Sequence, residues 1–176
     1  AIGTKALYMN DSSFNIAIGY NAAYNNKAAE NIAIGWKSNY SNLYGTHNVA
    51  IGNRALFNND NSYNVAVGFQ SLFNTRESNN TAVGFRSGFI NVSGTDNTAM
   101  GYEALRQNIY GVENTAFGSN SLYENESSFN TAVGFMAMES SKDGSSNVAI
   151  GWKASRLSTK GEFNVGIGAE ALLNSD

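Results

Sequence analysis

A glycine recurs along this chain at a spacing that never leaves 16 or 17 residues. It stands at Gly3, Gly19, Gly35, Gly52, Gly68, Gly84, Gly101, Gly118, Gly134, Gly151 and Gly168. A beat held so long is the mark of a stacked repeat, in which each unit buries its apolar residues only against its neighbours. The function of such a chain belongs to a long, regular surface rather than to one pocket.

Aligning the copies on the glycine gives columns. Four residues before it stands Asn in every complete copy: Asn15, Asn31, Asn48, Asn64, Asn80, Asn97, Asn114, Asn130, Asn147 and Asn164. Three before it is β-branched, from Ile16 to Val165, and two before it is Ala, with Gly166 the exception. One before it is large and apolar: Ile18, Ile34, Ile51, Val67, Val83, Met100, Phe117, Val133, Ile150 and Ile167. One after it is often aromatic (Tyr20, Trp36, Phe69), three after is Ala or Ser, and Leu and an aromatic commonly follow, as in Leu56-Phe57. Each copy ends in an Asn/Ser/Gly-rich gap such as Asn58–Ser62, which is turn chemistry.

The β-branched, large apolar and aromatic positions are two apart, the period of a strand with those three on one face. A second extended segment is expected around Ala55-Leu56-Phe57 and its equivalents. Sixteen residues are too few for the helical repeats, which need about 20 to 47. The reading is therefore all-β: a parallel β-solenoid of about eleven coils of 16–17 residues, one repeat domain over residues 1–176. With strands about 4.8 Å apart, eleven coils span roughly 50 Å. The chain opens inside a copy and closes after the last Leu-Leu pair without a polar cap. Free solenoid ends normally carry one, so a segment of a longer fibre is expected.

Composition narrows the function. The net charge is −3, 14% of residues are charged, and the cations are scattered, so nucleic-acid binding is not expected. There is no Cys, hence no disulfide framework or thiolate metal site, and no Pro, as suits strands that donate on both sides. No apolar run approaches the length of about 18 that a membrane span needs. His47 is the only histidine, and the carboxylates hold no fixed register, so neither a His-based triad nor a repeating calcium loop can be assembled. Glu124 and Glu126 form a carboxylate pair without a supporting motif. No enzyme activity, cofactor or metal is expected.

Two faces of each strand look buried, one of Ala and Gly and one of large apolar residues. If the small face fills a thin coil, the large face lies outside, and self-association about the fibre axis would cover it. If the large residues point inward, the coil is wider and a monomer suffices. Strand periodicity leaves both open.

The phrases Asn48-Val-Ala-Ile-Gly-Asn-Arg-Ala55 and Asn147-Val-Ala-Ile-Gly-Trp-Lys-Ala154 resemble the head repeat of trimeric autotransporter adhesins. They are also similar to repeats of bacterial and phage tail fibres and surface filaments. The resemblance recurs through the whole chain. It implies a left-handed β-roll wrapped as a homotrimer, with the β-branched and large apolar columns (Ile18 to Ile167 above) as subunit interface. It departs in coil length, since the family coil is nearer 14 residues, and the extra residues fall in the gap.

The expected function is a structural or adhesive fibre segment outside a bacterial cell or on a phage virion, presenting variable turns to a host or environmental receptor or glycan. The turns that differ most are residues 26–30, 75–79 and 140–144. Tyr24, Tyr40, Phe73 and Tyr123 are candidate rings for sugar stacking, or else for packing between coils. The Asn column is expected to bond amide to amide along the stack and to cap turn backbone. The alternatives are a monomeric glycan-binding or ice-binding solenoid, the latter suggested by the row Thr81, Thr98, Thr115, Thr131, and a purely structural filament subunit.

Overall fold

Each Asn-to-Gly phrase forms a three-residue strand, and the strands stack in parallel without a slip of register. The computed structural model describes residues 1–157 and 160–174. Ser158, Thr159, Ser175 and Asp176, which the expected domain includes, lie outside the described residues. Ten strands make one continuous sheet: Ile16–Ile18, Ile32–Ile34, Val49–Ile51, Val65–Val67, Thr81–Val83, Thr98–Met100, Thr115–Phe117, Thr131–Val133, Val148–Ile150 and Val165–Ile167. Ile2 extends the ladder by one parallel bridge to Ile18. Ala pairs with Ala from coil to coil, and only Gly166 breaks the row. The chain is thus an all-β parallel solenoid, and among the described residues there is no helix.

Small side chains fill the coil. The Ala two before each glycine is at most 2% exposed from Ala17 to Ala149, and the residue three after it is buried in most coils, as with Ala55, Ser87 and Ala154. The next column, with Leu56, Leu72, Leu105, Leu122 and Met138, closes the core. Of the two arrangements open in the sequence, the thin coil is the one formed. The large apolar residues one before the glycine face outward.

The glycine column marks the corner after the strand, with φ from +125° to +141°. A Cβ built on Gly19 would stand 2.7 Å from the Gly35 carbonyl oxygen, so only glycine permits this coil-to-coil approach. The residues two and four after it, such as Arg54 (φ 55°) and Leu56 (φ 49°), are also left-handed, as is the residue before each Asn, such as His47. This corrects the second expected strand. Ala55 and Leu56 lie in a turn, and the second extended segment begins later, as two-residue strands at Asn25–Asn26, Ser41–Asn42, Asn74–Thr75, Ile90–Asn91, Glu124–Asn125 and Ser140–Ser141. The left-handed pair bends the chain back and turns Leu56 into the core. That burial offsets a cost of about 1 kcal/mol for each left-handed residue.

Coil length has a local cause. Every coil of 17 residues carries a second glycine ten after the first: Gly45, Gly94, Gly111, Gly144 and Gly161. The first four are buried against the turn of the next coil; a Cβ on Gly144 would meet the Gly161 carbonyl at 2.5 Å. The added residue precedes this glycine and projects: Tyr44, Ser93, Tyr110 and Asp143 are all exposed.

Candidate interaction surfaces

The Asn column works as a clamp between coils. The backbone N–H of Asn31 donates to Asn15 Oδ1 at 2.9 Å, and the same bond recurs up to Asn164 and Asn147 at 2.8 Å. The Nδ2 group donates onward to a gap carbonyl of the next coil, Asn31 to Gly45 at 3.0 Å and Asn64 to Glu77 at 2.9 Å. The turn-capping role is as expected. Amide-to-amide bonding along this column is not seen, because each Oδ1 is taken by backbone. Complete burial of Asn48, Asn64 and Asn80 leaves them no exposed atom for a ligand.

Amide-to-amide bonds occur instead in a second column, seven after the glycine, that the sequence reading missed. Asn42 Nδ2 donates to Asn26 Oδ1 at 2.8 Å, Asn108 to Asn91 at 2.7 Å and Asn125 to Asn108 at 3.1 Å. Its signal was present: Asn recurs there at Asn10, Asn26, Asn42, Asn59, Asn91, Asn108 and Asn125. Thr75 and Ser141 interrupt it, and among the described residues their buried hydroxyls have no partner. These two residues and Asn26 lie inside the coil, so the exposed residues of the variable turns expected to meet a receptor are Lys27, Glu30, Arg76, Asn79, Lys142 and Asp143.

Tyr24, Tyr40 and Phe73 belong to a ladder of six rings running Tyr8, Tyr24, Tyr40, Phe57, Phe73, Phe89, with centroids 5.0 to 5.3 Å apart. Both faces of those three rings are occupied by neighbouring rings, the offset stacking that aromatic pairs favour. Arg106 continues the column: it lies over Phe89 and Tyr123 and donates to the Tyr123 hydroxyl at 3.0 Å. Beyond it Arg156 Nε meets Glu139 Oε2 at 2.5 Å. Cations two after the glycine lie across the rings, Lys37 and Arg54 over Trp36, and Arg86 over Phe85 and Phe89.

The outer face of the ten-stranded sheet is apolar along its length. Ile18, Ile51, Met100, Phe117, Ile150 and Ile167 are exposed, and Ile34, Val67, Val83 and Val133 half-buried. Beside them run Ile16 and Val165, exposed, and Ile32, Val49, Val65 and Val148, half-buried. The four Thr share this second column, Thr98 and Thr115 exposed. All ten predicted interface residues thus fall in one row on one face.

On the side of the short strands lies an open trough of about 620 Å³ lined by Ser41, Asn58, Asn59, Asp60, Asn74, Arg76 and Val92. Among the described residues no group of three or more His, Asp or Glu is placed to hold a metal ion, and no helix could cross a membrane. His47, the single histidine, meets Glu30 of the preceding coil at 2.5 Å and stacks on Tyr63.

No protein-family model, no curated protein and no solved structure matches this chain. The functional reading rests on its own surfaces.

Proposed function

We propose that this chain is a non-enzymatic, rigid segment of an extracellular fibre, on a bacterial cell or a phage virion, that associates with copies of itself through the apolar face of the long sheet. The outward apolar row carries the reading. Ten strands at about 4.8 Å make a strip roughly 45 Å long and about 10 Å wide. An apolar strip of roughly 450 Å² is of the size of the largest exposed patches on single chains, which often mark where a protein meets a partner. At about 25 cal/mol per Å², covering it is strongly favoured.

A rotation axis parallel to the rod lets every coil present the same contact to its partner, so all copies of the phrase bury the same residues at once. A homotrimer is the assembly we put forward, as the sequence resemblance implies. Backbone ladders and the two Asn columns make each rod stiff, and the short-strand side and projecting turns stay free to meet a surface.

Ile51→Asp tests the reading. A charge in the middle of the strip faces solvent in the single chain but would be buried in the assembly, at a cost of several kcal/mol. The expected result is a fall in solution mass to that of one chain, with the β circular dichroism spectrum unchanged. An assembled mass identical to that of the unmodified chain would remove this face as the interface.

A further inference from the structure

The order of coil lengths places the trough. Two 16-residue coils, from Gly52 to Gly68 and from Gly68 to Gly84, lie between two 17-residue coils, from Gly35 to Gly52 and from Gly84 to Gly101. The flanking coils push their added residues, Tyr44 and Ser93, outward, while the two short coils add none. Asn58, Asp60, Asn74 and Arg76 of the short coils then form the floor, and Ser41 and Val92 of the long coils the walls. The hollow is built by two missing residues between two glycine-tightened turns.

Its chemistry is mixed and close to neutral. Asn58 Nδ2 donates to Asn74 Oδ1 at 2.7 Å, leaving further amide donors and acceptors at the surface. Asp60 Oδ1 accepts from the Leu43 backbone N–H at 2.9 Å, which fixes the carboxylate and leaves its second oxygen as an acceptor. Arg76 is exposed and, among the described residues, its guanidinium meets neither a carboxylate nor a ring, unlike Arg86, Arg106 and Arg156. One residue on from Leu43, whose N–H meets Asp60, Tyr44 is 76% exposed, and among the described residues no ring stacks on it. Amides, one carboxylate, one guanidinium and a hydroxyl match a ligand whose groups each donate and accept, as sugar hydroxyls do. The exposed ring of Tyr44, in the turn that meets Asp60 through Leu43, offers the apolar face of a sugar a place to stack. One acid and one base favour neither a polyanion nor a polycation.

We propose that this trough binds a neutral glycan, its hydroxyls held by Asn58, Asp60, Asn74 and Arg76 and one sugar ring against Tyr44. The proposal deepens the surface-fibre reading, on which it rests for its biological partner, but it uses a different side of the rod. Assembly about the apolar face multiplies the trough and raises avidity for a polymeric glycan.

The test is binding of the full chain to a printed array of neutral oligosaccharides, followed by titration with the best soluble hit. Tyr44→Ala is expected to weaken binding several-fold and Arg76→Gln about tenfold, the size of one lost ring contact and one charged hydrogen bond. Both side chains are exposed, so the fold and the solution mass stay as they were. Tyr110→Ala, which removes an equally projecting ring away from the trough, is expected to change nothing. No neutral glycan bound by the unmodified chain, or equal binding by all three variants, overturns the proposal. A monomer that binds and loses binding on Tyr44→Ala keeps the trough and removes the assembly; an assembly that binds nothing does the reverse.

Discussion

Asn64 shows how a single side chain ties three coils together. Its Oδ1 accepts the backbone N–H of Asn80 and its Nδ2 donates to the Glu77 carbonyl, both at 2.9 Å, while its own N–H donates to Asn48 Oδ1. All of this happens in a site with no exposure, where unmade hydrogen bonds are costly. Asn64→Ala leaves a buried donor and a buried acceptor without partners. A loss of about 2 to 4 kcal/mol is expected, read as a lower urea midpoint at unchanged slope. The Asn column was legible because one residue type fills every copy. Its bonding was not, because a column says nothing of whether an amide meets an amide or the backbone one coil on. The left-handed residues were hidden for a similar reason: Leu56, Leu72 and Leu105 carry no sign of positive φ. Gly88 and Asn39 in the same column were the available clue.

At the scale of the element, the turn after the glycine decides what the coil can hold. Its left-handed corner sends Leu56, Leu72, Leu105 and Leu122 into one column, and Asn39 occupies the same column between Ala23 and Leu56. Asn39 is fully buried and, among the described residues, neither polar atom of its amide has a hydrogen-bond partner. Asn39→Leu is therefore expected to stabilise the chain by about 1 kcal/mol, since an apolar side chain replaces an unpaired polar one beside a small Ala. A rise in the urea midpoint checks it. The long strands were read correctly in place and register because alternation and stacking agree there, but each ends at the glycine corner, so the aromatic position expected on the same strand face lies in the turn. The short strands were placed too early because Leu-Phe pairs look extended in sequence, while the chain uses them to turn. Coil length was also visible, and its partner, the glycine ten residues on, was overlooked because it is present only in the longer coils.

The whole molecule is a rod with two unlike sides. One side is the ten-stranded sheet with its apolar rows outward; the other is the short-strand side with polar grooves and projecting turns. The inside of the rod was ambiguous in the sequence, because both faces of each strand are apolar. Filling settles it: Ala, Ser and at most one Leu or Met per coil are enough for a thin core stitched by two Asn columns. The large residues are then left over, and the proposed assembly is what accounts for them. Of the surfaces that bear on function, the apolar row was legible from Ile18 to Ile167. The trough was not, since it arises from the order of coil lengths rather than from any motif.

The mass of the chain in solution, by light scattering on a size-exclusion column, tests the central claim most directly. The account predicts three times the chain mass of 18.8 kDa. A mass of one chain, stable across concentration, would contradict it and leave the apolar row as a face that water can cover.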